Sequence, residues 1–260
     1  MVRVTILSLL ISLPSFAGDN TISIITSGSG SSITSTQAGN GNTTTILCGS
    51  TTAGTGYSAH TCTNAVWKST IDGNSNVSKL FTVWSNHTGN TYTTTIDGND
   101  NYAYIDQDED NNTSTITQTG NSNHAEQLGS GDNNEYGITQ MGNSKYAKIM
   151  AFGDNSDFTI YQSDSGLHNT YIWNNNSAHS NTVVVSQTGT GNKDADIYLN
   201  AGNTNVDLNQ SGAGAHTAYM TFTTSDYTVD VDQLGSTNQS YTATFDCIEN
   251  CTKTITITQQ

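Results

Sequence analysis

A strand-and-turn unit recurs along the second half of this chain. Residues 114–123 read Ser-Thr-Ile-Thr-Gln-Thr-Gly-Asn-Ser-Asn, which is an alternating strand followed by a Gly/Asn turn. The glutamine of the unit returns at steps of 22, 22, 25, 23, 23 and 26, as Gln118, Gln140, Gln162, Gln187, Gln210, Gln233 and Gln259. A short unit repeated at a near-fixed period predicts a repeat architecture, in which each copy stacks on its neighbours.

An apolar β-forming residue stands two positions before each of these glutamines. These core partners are Ile116, Ile138, Ile160, Val185, Leu208, Val231 and Ile257. Because side chains alternate across a strand, each apolar residue and its glutamine face the same side. A second strand lies between successive glutamine strands, and no segment shows a helical period. The sequence therefore predicts an all-β fold, a β-solenoid of stacked strand-turn-strand coils with about 22–25 residues per coil.

The glutamines have a physical role in such a stack. Neighbouring coils lie about 4.8 Å apart, so identical side chains form ladders along the axis. Each amide can donate a hydrogen bond to one neighbour and accept one from the other. We expect an amide ladder made of the seven glutamines above together with Gln37, which belongs to an earlier copy of the unit.

The first 17 residues have the features of a secretory signal peptide. Arg3 is followed by an apolar stretch from Val4 to Leu13 and by Ser15-Phe16-Ala17, which predicts cleavage after Ala17 and export. No later apolar run is long enough to span a membrane. The net charge of −15 disfavours binding to nucleic acid and to anionic membranes.

The rest of the chain divides into two parts. Residues 18–99 are interpreted as divergent N-terminal repeats, with an insertion loop at 47–67. Residues 100–260 are interpreted as the regular repeat solenoid. The four cysteines form two candidate disulfides, Cys48–Cys62 and Cys247–Cys251, as an even number in an exported chain suggests.

Other candidate sites are weaker. Residues 106–112 begin like a calcium loop, but Asn111 stands where glycine is needed and Thr117 where glutamate is needed, so an acidic corner is favoured. The six histidines are expected to be solvated turn residues. Lys145 and Lys148 are interpreted as outward charges that hinder mispairing. We find no catalytic constellation, and no enzyme activity, cofactor or metal is expected.

The spacing of three polar residues resembles a known repeat. Ser or Asn, five residues, Gln, four residues and Asn occur at Ser31–Gln37–Asn42, Asn112–Gln118–Asn123 and Asn181–Gln187–Asn192. This spacing resembles the curlin repeat of bacterial curli fibre subunits. A second glutamine of that repeat is mostly missing here, near Gly129, Met150 and Tyr198.

The resemblance implies a secreted structural protein that polymerises with itself into extracellular, pilus-like amyloid fibres of the biofilm matrix and serves surface adhesion. It also implies other curli subunits, including a nucleator, and an outer-membrane secretion pore as partners. The alternative hypothesis is a monomeric secreted β-solenoid whose Thr-rich face, around 43–45 and 91–95, binds polysaccharide or ice.

Overall fold

The computed structural model describes residues 8–12, 18–49, 61–82, 86–152, 156–173, 181–198, 200, 204–221, 227–244 and 253–260. Within these ranges the secondary structure is entirely β. The first strands in chain order are β1 Ser8–Ser12, β2 Thr21–Ile25, β3 Ser32–Ala38, β4 Thr43–Cys48, β5 Cys62–Thr63, β6 Val66–Asp72, β7 Val77–Thr82, β8 His87–Thr88, β9 Thr91–Asp97, β10 Tyr102–Gln107, β11 Thr113–Thr119 and β12 His124–Gly129. The remaining strands are β13 Glu135–Met141, β14 Tyr146–Ala147, β15 Ser156–Gln162, β16 Asn181–Gln187, β17 Thr204–Asn205, β18 Leu208–Gln210, β19 His216–Tyr219, β20 Tyr227–Thr228, β21 Val231–Gln233, β22 Gln239–Thr242, β23 Lys253–Thr254 and β24 Ile257–Gln259.

The strands form two walls that face each other across one interior. The larger sheet has 14 strands and runs from β1 through β3, β6, β9, β11, β13, β15 and β16 to β23 and β24. The smaller sheet has six strands, in the order β14-β12-β10-β7-β4-β2, and the pairs β19–β22 and β5–β8 stand alone. Each strand pairs in parallel with the strand one coil away, which confirms the predicted all-β solenoid, here with about nine turns.

The register gives the length of each coil. Paired residues are 22 apart from β9 to β11 and from β11 to β13, and 25 apart from β6 to β9. From β3 to β6 they are 34 apart, since Ser32 pairs with Val66. The insertion loop predicted at 47–67 falls in this longest coil, and residues 50–60 of it lie outside the described part of the chain.

Alternation of side chains builds the core. In β11, residues 114, 116 and 118 are buried while the residues between them are wholly or partly exposed. Aromatic and aliphatic side chains fill the first inward position of most larger-sheet strands, among them Trp67, Tyr92, Tyr136 and Phe158, while Ser114 holds it in β11. Each of these packs on its counterpart one coil away, so no coil buries its apolar face alone.

Glycines make the tight corner after most strands of the larger sheet, and Asp164 takes this place after β15. Gly120 has φ of 112°, a left-handed value that side chains with a Cβ rarely adopt. A Cβ at this position would also meet the carbonyl oxygen of Gly142, one coil away. Corner backbones therefore stack as closely as the strands do.

The N-terminal segment is described only in part. Within the signal peptide predicted at 1–17, residues 8–12 form β1, which pairs with β3, and the rest lie outside the described residues. No helix in the described part of the chain has the length and hydropathy needed to cross a bilayer.

Candidate functional site: stacked polar columns

Seven glutamines form one hydrogen-bonded column along the interior. From Gln118 to Gln259, each side-chain Nε2 donates to Oε1 of the glutamine one coil further on. The six bonds, Gln118–Gln140, Gln140–Gln162, Gln162–Gln187, Gln187–Gln210, Gln210–Gln233 and Gln233–Gln259, measure 2.7 to 3.0 Å. We call these seven residues the amide column. All its bonds point the same way, so it has a donor end and an acceptor end.

The second amide proton of several residues in the amide column forms a hydrogen bond to the opposite wall. Gln118 Nε2 donates to the carbonyl oxygen of Tyr102 at 2.9 Å, and Gln140 Nε2 donates to that of His124 at 3.0 Å. Gln162 and Gln187 bond in the same way to Tyr146 and Asn169. An amide buried with all of its protons bonded avoids the desolvation penalty of an orphaned polar group.

The apolar partners form a parallel column on the same wall. Ile116 pairs in register with Ile138, Ile138 with Ile160, and the series continues through Val185, Leu208 and Val231 to Ile257. The first six are buried, and Ile257 is partly exposed. Every rung from Gln118 to Gln233 therefore buries one apolar side chain and one amide side by side.

Gln37 is not part of the amide column. The register places Ile71 and Ile96 between Gln37 and Gln118. Gln37 Nε2 instead donates to Thr44 Oγ1 at 2.8 Å. A hydroxyl chain follows, through Thr44, Ser69, Ser78 and Thr94, with oxygen–oxygen distances of 3.3, 3.1 and 2.7 Å. The expectation that Gln37 belongs to the ladder is wrong because apolar residues occupy its place in the next two coils.

A second polar column lies at the corner that follows each larger-sheet strand. This turn column consists of Asn42, Asn76, Asn101, Asn123, Lys145, His168, Lys193, His216 and Gln239. Asn101 Nδ2 donates to the carbonyl oxygen of Gly120 at 2.7 Å, and Lys145 Nζ donates to those of Asp164 and Gly166 at 2.7 and 2.8 Å. The lysine thus binds corner carbonyls in the way that asparagine does.

The structure corrects the interpretation of Lys145 as an outward charge. Lys145 is 1% exposed rather than outward-facing, and burial lowers its pKa to about 8. Lys148 forms an ion pair with Glu126 at 3.0 Å. Asn192 is the last residue of the third stretch with the curlin spacing, and it is exposed. Lys193 takes its place in the turn column because this turn is one residue longer.

Three histidines are buried, so the prediction of solvated turn residues is wrong for them. They are His87, His168 and His216, at 2, 1 and 1% exposure. His168 Nε2 contacts the carbonyl oxygen of Ser163 at 2.7 Å, and burial together with the charge of Lys145 lowers its pKa to about 4. Burial also lowers the pKa of His216. His60 and His179 lie outside the described residues.

Two of the four cysteines lie in the described part of the chain. Cys48 and Cys62 form a disulfide, with their Cα atoms 6.1 Å apart. Cys247 and Cys251 lie outside the described residues. At the calcium-like segment, burial raises the pKa of Asp106, which accepts a hydrogen bond from Tyr104 at 2.8 Å.

Both ends of the solenoid carry partly uncovered strands. Ile257 and Gln259 are partly exposed, whereas Val231 and Gln233 in the preceding coil are buried. At the opposite end, β2 has no fully buried residue, and Ile25 is 49% exposed. These end strands lack the next rung that buries their counterparts inside the stack.

Comparison with known proteins gives one match. Residues 131–163 match a family model described as the curlin associated repeat. The match spans β13 and β15 and includes Gln140 and Gln162 of the amide column. No curated protein and no solved structure matches the chain. The resemblance predicted from the glutamine spacing is thereby confirmed at residues 131–163, which match the curlin associated repeat.

Proposed function

We propose that this protein is a secreted structural subunit that adds end to end to other copies of itself and builds extracellular curli-like amyloid fibres for biofilm matrix and surface adhesion. The observation that carries the proposal is the unfinished rung at each end of the solenoid. A curlin repeat on a β-solenoid favours a structural role over a catalytic one. Other curli subunits and an outer-membrane pore are proposed partners for nucleation and export.

The C-terminal end has the chemistry of a growing end. β24 pairs with β21 on one side, and no described strand covers its other edge. Gln259 accepts the hydrogen bond of Gln233, while its own Nε2 donates none within the described part of the chain. The amide column therefore ends in a donor that a further rung would satisfy. An exposed strand edge is a template for adding another chain.

The N-terminal end offers a matching acceptor. Gln37 Oε1 is buried and has no hydrogen-bond partner among the described residues. β1, which lies in the predicted signal peptide, is the strand that covers β3 on this side. Cleavage after Ala17 would remove β1 and uncover the edge of β3. Head-to-tail stacking would then bring Gln259 of one copy toward Gln37 of the next.

Two substitutions on β24 test this proposal. Residues 18–260 are purified, and seeded growth is followed by thioflavin T fluorescence, electron microscopy and fibre diffraction. Ile257→Lys places a charge on the inward face of the terminal rung and should slow growth severalfold. Thr258→Lys adds the same charge to the outward face and should grow as the unmodified chain does.

Growth of the Ile257→Lys chain at the unmodified rate would refute addition at this end. A chain of residues 18–260 that stays monomeric, with no cross-β diffraction after seeding, would refute the fibre proposal altogether.

One observation favours the alternative function. Thr36, Thr70, Thr95, Thr117 and Thr139 stand in register on the outer face of the larger sheet. The file ends at Tyr161 and Ser186 in the next two coils. A regular threonine file suits binding to a repetitive surface such as ice or polysaccharide. Thermal hysteresis or polysaccharide retention by a soluble monomer, lost on Thr95→Lys, would support this function.

A further inference from the structure

Two cysteines and a histidine meet inside the early coils. Cys48 ends β4, Cys62 begins β5, and His87 begins β8 one coil further on, in register with Cys62. The two sulfur atoms and a ring nitrogen of His87 all lie within 4.8 Å of one another. All three side chains are buried.

The neighbouring groups are polar but uncharged. Thr82 Oγ1 lies 3.2 Å from Cys62 Sγ, and the carbonyl oxygen of Ser27 lies 3.3 Å from Cys48 Sγ. Thr82 is itself buried. The two sulfur atoms thus lie beside neutral oxygen atoms, a backbone carbonyl for Cys48 and a hydroxyl group for Cys62. The redox state of the sulfurs then decides its chemistry, because thiolates bind metals and disulfide sulfurs bind them poorly.

We propose that the reduced form of this cluster is a metal site, in which Cys48, Cys62 and His87 bind a thiophilic divalent cation of the zinc class. Two thiolates and one imidazole are a ligand set that zinc accepts, with a fourth position left for another oxygen or for water. The Thr82 hydroxyl lies where it can face that position. The same cysteine pair thus joins β4 to β5 in both redox states, by a disulfide or through a metal ion.

The two states interconvert by a balanced reaction. A phosphine reduces the Cys48–Cys62 bond by two electrons and becomes its oxide, with one water molecule supplying the oxygen and the two thiol protons. Binding of one divalent cation then displaces both thiol protons. The metal therefore restores a link across the 14-residue separation that reduction has opened.

Cobalt binding to the full chain tests the site. Cys247→Ser and Cys251→Ser are introduced first, so that Cys48 and Cys62 are the only thiols. The chain is refolded with a phosphine under anaerobic conditions and titrated with Co²⁺. We expect one Co²⁺ per chain, a thiolate-to-cobalt band in the near ultraviolet and the visible bands of tetrahedral cobalt. Zn²⁺ should displace the cobalt, and the oxidised chain should show none of these bands.

Matched variants separate the site from general metal binding. His87→Asn should weaken Co²⁺ affinity by more than about tenfold, since even outer-shell changes cost that much. His216→Asn, which alters a buried histidine distant in sequence from both cysteines, should leave the affinity unchanged. Equal affinity of the His87→Asn chain would overturn the assignment of this ligand.

Circular dichroism separates loss of metal binding from loss of the fold. A reduced chain with the circular dichroism of the oxidised protein but no thiolate-to-cobalt band would overturn the site. If the reduced chain does not fold without metal, recovery of the β-sheet signal on adding Zn²⁺ would support the site. Failure of Zn²⁺ to restore that signal would overturn it.

Discussion

The larger-sheet strands from β3 to β13 each have three inward-facing positions. The coils from β3 to β10 differ from the coils from β11 onward at the second, or middle, position and at the one that follows it. In the earlier coils the middle position holds Ser35, Ser69 and Thr94, and the next inward position holds Gln37, Ile71 and Ile96. In the later coils the middle position is aliphatic and the next one is glutamine. Each rung of both regions still buries one polar and one apolar side chain beside each other, except that Gln37 and Ser35 are both polar.

The hydroxyl chain and the amide column differ in how many neighbours each polar group can donate a hydrogen bond to. A hydroxyl donates a single proton, and the chain from Thr44 to Thr94 crosses back and forth between the walls. A primary amide donates two protons, so it can bond to the next rung and to the opposite wall at once. The hydroxyl chain stays inside the stack, whereas the amide column reaches the last described strand. The glutamine region therefore ends in an open amide donor at Gln259, whereas the hydroxyl chain ends inside the stack at Thr94.

The largest effect is expected from interrupting the amide column. Gln140→Leu removes the partner of Gln118 Nε2 and of Gln162 Oε1 while keeping a side chain of similar size. Each of the two orphaned buried groups costs about 1–3 kcal/mol, so the free energy of unfolding should fall by about 2–6 kcal/mol. Urea unfolding measures this change.

Thr139→Ala, on the outward side of the same strand, is the control and should change the free energy of unfolding by less than about 0.5 kcal/mol. Similar values for both variants would show that the amide hydrogen bonds contribute little.

A smaller effect is expected from moving the boundary between the regions. Gln118 Oε1 is buried and has no hydrogen-bond partner among the described residues, because Ile96 occupies the preceding rung. Ile96→Gln would supply a donor there and lengthen the column. Ile71→Gln inserts the same amide one coil earlier, where a donor that points along the column faces Ile96, which has no acceptor. Urea unfolding should find Ile96→Gln more stable than Ile71→Gln by about 1–2 kcal/mol.

Equal stability of these two variants, or greater stability of Ile71→Gln, would contradict the idea that Gln118 is an unfinished end of the column. Both changes remove a buried isoleucine of the same wall, so the loss of apolar burial is common to both.

The glutamine spacing predicted the solenoid because period and strand alternation together fix which side chains face inward. It misplaced Gln37 because a motif match carries no register across a coil of 34 residues. The buried roles of Lys145 and His168 were missed because they depend on corner carbonyls, those of the next coil for Lys145 and that of Ser163 in its own turn for His168. One signal was present: a polar residue recurs five or six positions after each glutamine from Gln118 to Gln233, and the extra residue in the later turns obscures it.

The regions also differ in the turn column, which is asparagine at Asn42, Asn76 and Asn101 in the earlier coils but contains His168 and His216 in the later ones. His168 is faced by Lys145, Lys193 and Asp164, and its Nδ1 has no hydrogen-bond partner among the described residues. An unfolded histidine takes up a proton near pH 6.5, whereas the folded pKa of His168 is about 4.

Acid should therefore weaken the later coils first. Between pH 6.5 and about pH 4 the unfolded chain binds more protons than the folded chain, so the free energy of unfolding falls as the pH falls through this interval. We expect a loss of about 1 kcal/mol after allowance for solvent screening. Urea unfolding at about pH 7 and about pH 5 measures it, and hydrogen exchange should show protection falling in β15 and β16 before β6 and β9.

A chain with His168→Gln and His216→Gln should lose less stability over this interval. An unchanged loss in that variant would assign the acid sensitivity to carboxylates instead, and the two regions would then not differ in their response to pH.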